Sequence, residues 1–191
     1  MMSKGTLYVF TGPSGTGKGT ILKQVLEADD RIQLSVSATT RDPRPGEENG
    51  VHYWFLSQDE FLKKIDEAAF LEHACYVGNY YGTLEAPVNT QLESGYDVVL
   101  EIEVQGALQI HEKRPDAIMI FVAPPSIEEL ESRLRGRGTE AEDKVVARIE
   151  AARGEMEQMN HFDYIIVNDD LQTAIGDVKA VFRAERCRNR K

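Results

Sequence analysis

Gly12-Pro13-Ser14-Gly15-Thr16-Gly17-Lys18-Gly19-Thr20 follows the apolar run Leu7-Tyr8-Val9-Phe10 and precedes the amphipathic run Ile21 to Leu26. A glycine-rich segment between a buried strand and a helix can wrap its backbone around an anion. Its N–H groups point inward and the helix N-terminus adds partial positive charge. Lys18 supplies a full charge, so the stretch is a phosphate-binding loop by composition and context. Such loops usually place Ser or Thr directly after the lysine, with the hydroxyl on a metal. Here Gly19 holds that position and Thr20 comes one residue later.

Outward from the loop, strands alternate with helices. Thr6–Thr11 is the first strand, and Ile21, Leu22, Val25 and Leu26 fall on one helical face. Residues 32–38 suggest a second strand, ending in the Pro- and Gly-rich stretch 39–50. From Tyr53 to Tyr81 short β runs (53–56 and 70–77) surround one helix, which Ser57 and Glu60 open at capping-box spacing. Then come a helix over 84–94, a buried strand over 97–103 and another over 117–123. Ser126 with Glu129 and Thr139 with Glu142 start two helices, the second with an apolar face of Val145, Ile149, Ala152, Met156 and Met159. Strand 164–167 and a helix burying Ile175, Val178, Val181 and Phe182 close the chain.

This alternation predicts an α/β fold of the P-loop nucleoside-triphosphate hydrolase-like type: a parallel sheet flanked by helices, with ligands at the strand C-termini. At 191 residues one domain suffices. We expect a core of 1–35, 85–125 and 160–191, a β-rich insertion over 36–84 and a helical lid over 126–159. Lys and Arg number 22 against 32 Asp and Glu, and a net charge of −10 argues against broad nucleic-acid binding. No apolar run is long enough to span a bilayer, and the N-terminal residues lack a secretory pattern, so the expected place is the cytoplasm. Cys75 and Cys187, isolated in sequence, fit reduced thiols there. The four histidines lack metal-ligand spacing, and no metal-ligating side chain is assigned.

Phosphoryl transfer needs a donor cradle, an acceptor pocket and cations that close over both. If the acceptor is a nucleoside monophosphate, the forks of Arg41 and Arg44 suit its phosphate and the hydroxyls of Tyr53 and Tyr81 add hydrogen bonds. Glu72 is suited to read the base. A carboxylate only accepts, so it pairs with adjacent N–H donors of guanine and opposes the acceptor edge of uracil or cytosine. Glu101 and Glu103, two apart on a strand, would share a face, and a carboxylate ending a buried strand is costly unless paired. The bland alternatives are that Tyr53 and Tyr81 only pack, that lid arginines pair on the surface with Glu128, Glu131 and Glu140 (Arg135 above all), and that the basic tail from Arg183 to Lys191 is a solvated face.

Several stretches together carry a closer resemblance: 35–41 (SVSATTR), 43–47 (PRPGE), 70–74 (FLEHA), 78–83 (GNYYGT), 135–138 (RGRG) and 166–170 (IVNDD). Over essentially its whole length the chain resembles the guanylate kinases, of the P-loop nucleoside monophosphate kinase group. The resemblance implies that Ser37, Glu72 and Thr83 hold the guanine end of GMP, with Glu101 and Glu103 nearby. It assigns the GMP phosphate to Arg41, Arg44, Tyr53 and Tyr81. Gly12, Pro13, Ser14, Gly15, Thr16, Gly17, Lys18, Gly19 and Thr20 would hold ATP, with Asn168 at the adenine. Lys18, Arg41, Arg133, Arg137 and Arg148 would act on the transferring phosphate. The implied reaction is ATP plus GMP giving ADP plus GDP, with Mg2+.

The family usually has Asp where this chain has Glu101 and Glu103, and Gly19 resembles the Gly-Lys-Gly-Thr ending of adenylate kinases. Two alternatives stand beside this reading. One is a kinase of the same group acting on AMP or a ribose phosphate. The other is a non-catalytic guanylate-kinase-like scaffold domain; such domains lose the loop lysine and lid arginines, whereas Lys18, Arg137 and Arg148 are present.

Overall fold

The computed structural model describes residues 4–76, 78–136 and 141–189. Its elements run β1 (Leu7–Thr11), α1 (Lys18–Ala28), β2 (Ile32–Leu34), β3 (Ala38–Thr39), β4 (Trp54–Phe55), α2 (Gln58–Asp66), β5 (Phe70–Tyr76), β6 (Asn79–Leu84) and α3 (Glu85–Glu93). They continue with β7 (Asp97–Glu101), α4 (Val104–Lys113), β8 (Ile118–Ala123), α5 (Ile127–Gly136), α6 (Glu142–Met156), β9 (Tyr164–Val167) and α7 (Leu171–Cys187). The main sheet has the order β2-β7-β1-β8-β9, and a second sheet the order β4-β3-β6-β5. Parallel pairing of β2 with β7 and of β8 with β9 needs helical crossovers, which the alternating helices provide. This is the α/β class expected from the sequence.

By its internal contacts the chain forms two compact units, Met1–Val9 with Arg31–Ile118 and Phe10–Asp30 with Met119–Lys191. In the first, Asp97 starts β7 as a buried carboxylate that accepts the Thr6 N–H at 2.9 Å. The single strand expected over 32–38 is two. After Ser35, whose N–H still donates to the Val99 carbonyl at 2.9 Å, the chain leaves β7, and the Ser37 carbonyl then accepts the Trp54 N–H at 2.8 Å as Ala38 enters the second sheet. Sequence alternation persists through the crossing, so only a change of hydrogen-bonding partner marks it. β5 and β6 form an antiparallel ladder, and the core beneath it stacks Phe61 on Phe70 at 4.4 Å between centroids, with Ala38 beside them.

α4, which the sequence reading left unassigned, covers the open edge of β5. Gln109 imitates a strand neighbour there: its Oε1 accepts the His73 N–H at 3.2 Å and its Nε2 donates to the His73 carbonyl at 3.0 Å. Lys113 donates to the Leu71 carbonyl at 3.0 Å. An exposed strand edge is thereby closed by side chains. The Ser57 and Glu60 capping box is present as expected, each side chain satisfying the other's backbone N–H.

In the second unit β8 is buried throughout, and α7 buries Ile175, Val178, Val181 and Phe182 as expected. Arg186 of α7 pairs with Asp29 after α1 at 2.6 Å. α5 and α6 pack through Leu130, Leu134, Val145, Ile149 and Ala152. The Ser126 hydroxyl caps α5 by accepting the Glu129 N–H at 3.1 Å. The N-cap position of α6 is Ala141; Thr139, the expected cap, lies outside the described residues.

Candidate active site

The residues expected to hold the donor lie in the second unit, where β1 runs into α1. Gly12 has φ 137°, and a Cβ there would come 2.1 Å from the Val122 carbonyl oxygen, so only glycine lets the loop turn against β8. Thr16 closes the turn on Pro13, its hydroxyl donating to the Pro13 carbonyl at 2.8 Å. Gly17, left-handed at φ 86°, sits in the N-cap position of α1, and its carbonyl accepts the N–H groups of Thr20 and Ile21 at 3.1 Å each. The Lys18 ammonium folds back over the loop and donates to the Gly12 carbonyl and, at 2.9 Å, to that of Pro13. The arrangement brings an ammonium, a helix N-terminus and glycine backbone to one concavity, which is the chemistry of a phosphate cradle.

Two arginines of α5 and α6 reach this loop or its neighbour. Arg148 of α6 donates to the Ser14 hydroxyl. Arg133 of α5 pairs with Glu129 at 2.8 Å and donates to the Asn168 carbonyl at 2.9 Å. Arg137 lies outside the described residues. Arg135 links α5 to α6, bound to Glu131 and, at 2.6 Å, to Glu142, so the surface-pairing alternative holds for it. Glu142 draws the Arg135 pKa up, and its own is lowered in return.

Asn168 is buried, and its Nδ2 donates to the Thr16 carbonyl at 2.7 Å, a contact to the loop backbone that sequence reading missed. A Cβ on Gly17 would meet that Nδ2 at 2.6 Å, which ties the glycine to the asparagine. Asn168→Ala strips a buried carbonyl of this donor. It is expected to cost about 1–3 kcal/mol of stability by chemical denaturation; an unchanged midpoint would show that the contact contributes nothing.

The residues expected to meet the acceptor lie in the first unit. On β6, Tyr81 and Thr83 are two residues apart and so share a face of the sheet, and Glu72 of β5 stands opposite Thr83 on that face. The Thr83 hydroxyl donates to Glu72 Oε1 at 2.7 Å. Glu72 is only 5% exposed, and burial pushes its carboxyl above the ordinary range, partly offset by the Thr83 hydrogen bonds and the charge of Lys113. A Cβ on Gly106 of α4 would come 2.7 Å from Glu72 Oε2, so the glycine gives the carboxylate its place. No signal in the sequence singled out Gly106, because the contact joins residues 34 apart.

The phosphate-type residues cluster about Arg41. Its guanidinium lies 5.4 Å from the Tyr53 ring centroid and 5.8 Å from that of Phe55, and the Tyr53 and Tyr81 rings meet edge-on at 6.3 Å. Tyr81 also hydrogen-bonds the guanidinium and helps raise its pKa, after Glu47, which is the largest cause. Arg44 is exposed and Ser37 half-buried. Two expectations need correction. β7 ends at Glu101 and Glu103 is the residue before α4, so they are not successive same-face residues of one strand. Both are exposed, and the burial cost expected for Glu101 does not arise. Among the described residues no group of three or more His, Cys, Asp or Glu is placed to hold a metal ion.

A parallel α/β sheet opened by a strand, a glycine-rich loop with lysine and a helix defines a phosphate-loop nucleotide-binding protein. A guanylate kinase family model matches residues 4–185. The guanylate kinase of Streptococcus thermophilus is 51% identical over 189 residues, 98% of this chain and 90% of that protein. That of Desulfitobacterium hafniense is 46% identical over 184 residues, covering 96% and 92%. The crystal structure of guanylate kinase from Anaplasma phagocytophilum superposes with a TM-score of 0.76 at 31% identity, covering 98% of this chain and 89% of that one. The chain belongs to the guanylate kinase family.

Proposed function

We infer that the protein is an ATP:GMP phosphotransferase of purine nucleotide metabolism, converting ATP and GMP to ADP and GDP. The observation that carries this reading is the buried Glu72 carboxylate held by Thr83 on the same sheet face as Tyr81. Tyr81 and Thr83 are about 7 Å apart along the strand, since each residue advances roughly 3.4 Å. A base-reading acceptor and a guanidinium cluster thus stand side by side in one small unit. Glu72 takes the adjacent N–H donors of guanine, with Ser37 and Thr83 beside it, while Arg41, Arg44, Tyr53 and Tyr81 take the phosphate. The loop from Gly12 to Thr20 cradles the ATP phosphates, and Lys18, Arg133, Arg137 and Arg148 offset charge developing on the transferring group.

In this reading residues 36–84 receive GMP, 126–159 form the lid, and 1–35, 85–125 and 160–191 are the core. Asn168 stands at the adenine side, in addition to its bond to Thr16. Magnesium bound to ATP would neutralise phosphate charge. The chain fits an ion held mainly by phosphates and water: the Thr16 hydroxyl is committed to Pro13 and that of Ser14 accepts from Arg148, while Thr20 carries the loop's third hydroxyl on the exposed first turn of α1. Exposed Cys75 and Cys187 are free thiols, in keeping with a reducing cytoplasm. No helix among the described residues is long and apolar enough to cross a membrane.

Turnover measured with ATP and magnesium across GMP, AMP and ribose phosphates tests the assignment. GMP is expected to be the preferred acceptor by at least ~10²-fold, because a wrong base leaves Glu72 unpaired. Preference for AMP would replace this reading, and absence of acceptor-dependent ADP formation would favour the scaffold alternative.

A further inference from the structure

The loop that carries Arg41 and Arg44 is held together by a residue that the site reading leaves without a role. Glu47 grips the end of the Arg41 guanidinium with both carboxylate oxygens, Oε2 on Nη1 and Oε1 on Nη2, each at 3.0 Å. The same Oε2 accepts the Arg44 backbone N–H at 2.7 Å, and the Glu47 N–H donates back to the Arg44 carbonyl at 3.0 Å. Nη1 spends its second proton on the Asp42 carbonyl at 2.6 Å. At the other end of the loop the Thr39 hydroxyl accepts the Arg41 N–H at 3.2 Å. One carboxylate therefore joins both phosphate-type arginines, one through its guanidinium and the other through its backbone.

Two opposite consequences could follow from a carboxylate in that place. It could stand in for the phosphate and compete with it, or it could fix the guanidinium so that a different edge meets the phosphate. The geometry favours the second. Glu47 and Asp42 take three of the five guanidinium protons, all at the Nη1 side and the end of the group. Among the described residues no carboxylate or carbonyl takes Nε–H and the outer proton of Nη2, and the guanidinium's further side-chain partner is the Tyr81 hydroxyl, itself expected at the phosphate; that edge is a second fork of the kind that binds phosphate. Tyr53 and Phe55 lie along the guanidinium and restrict its tilt, and the side chains of Arg41 and Glu47 are only 16% and 18% exposed. A long side chain fixed in this way has given up its rotamer entropy before a ligand arrives.

Resting on the reading of this unit as the GMP acceptor, we propose that Glu47 is a positioning residue for the acceptor phosphate, acting through Arg41 and the Arg44 backbone. It touches no substrate. Its amide analogue should fail in the role, because a Gln side chain turns its NH2 group toward Nη2 in one orientation and toward both Nη1 and the Arg44 N–H in the other, placing donor against donor.

The test is calorimetric titration of the full chain and its Glu47→Gln variant with GMP and with guanosine. The expected result is GMP affinity lowered about tenfold or more with guanosine affinity unchanged, the loss falling on the phosphate alone. In an Arg41→Met background Glu47→Gln is expected to add less than about a threefold further loss, because its main partner is gone. Tighter GMP binding by Glu47→Gln would overturn the proposal in favour of a competing carboxylate. Equal losses for GMP and guanosine, or a variant that binds neither, would overturn it in favour of a general structural role. The underlying acceptor reading fails separately, if the unmodified chain does not bind GMP more tightly than guanosine.

Discussion

Lys18→Ala is expected to lower turnover by roughly 10²–10³-fold or more, the scale seen when one preorganised donor to a developing charge is removed. In the structure the ammonium rests on the Gly12 and Pro13 carbonyls, at the concavity where the loop backbone and the α1 N-terminus converge. Moving from these neutral carbonyls to anionic phosphate oxygens strengthens its interactions as charge shifts toward the leaving ADP, so the loss falls on kcat more than on GMP binding. The fold is expected to survive. The loop turn is held independently by Thr16 on Pro13 and by Asn168 on Thr16, and the Lys18 residue is half-exposed. Single-turnover assays with a parallel thermal melt check both points; near-normal turnover in a folded variant would remove Lys18 from the chemistry.

Glu72→Gln is expected to weaken GMP by about 1.5–3 kcal/mol, some 10- to 150-fold, while leaving ATP affinity unchanged. The amide keeps an acceptor for the Thr83 hydroxyl but presents at most one toward guanine, where the carboxylate has charge and two oxygens. Burial also fixes the pH behaviour. The Glu72 pKa is raised above its ordinary value, whereas the proposed pairing with GMP uses the ionised form. GMP affinity should therefore rise with pH through that elevated range and level off above it, and this dependence should vanish in the Gln variant. Stability runs the other way. The folded protein holds the Glu72 proton longer than the unfolded chain does, so stability falls as pH rises from the ordinary to the elevated value. Glu72→Gln should leave the melting temperature unchanged or higher at neutral pH. Loss of stability together with equal losses of GMP and ATP affinity would contradict this account.

These two residues differ in how they could be found. Lys18 stands out because strand, glycines, lysine and helix are consecutive, and the chemistry proposed for it is confined to nine residues. Glu72 is suggestive in sequence through the acceptor chemistry of a carboxylate and through its neighbours' resemblance to the family. Its energetics come from Thr83 opposite it in the register and from Gly106 above it. The Ser57 and Glu60 cap, strand Tyr164–Val167 and the buried face of α7 were likewise legible, each depending on residues a few positions apart. Glu101 and Glu103 were misplaced because periodicity along a strand says nothing about where the strand ends, and Val104 begins a helix. Ile32 to Ala38 was misjudged for a related reason: two strands in two sheets look like one when the chain does not turn sharply between them.

By itself the sequence determined the α/β alternation and the strand, glycine-rich loop and helix around Lys18, because local periodicity, capping and glycine placement act over one or two turns of chain. Only the tertiary structure decided how those residues are held. Asn168 grips a loop 152 residues away, α4 closes the edge of β5, and Glu47 takes the end of the Arg41 fork. Hydrogen bonds to buried carbonyls and paired charges depend on distance and angle in three dimensions, and sequence spacing does not encode either.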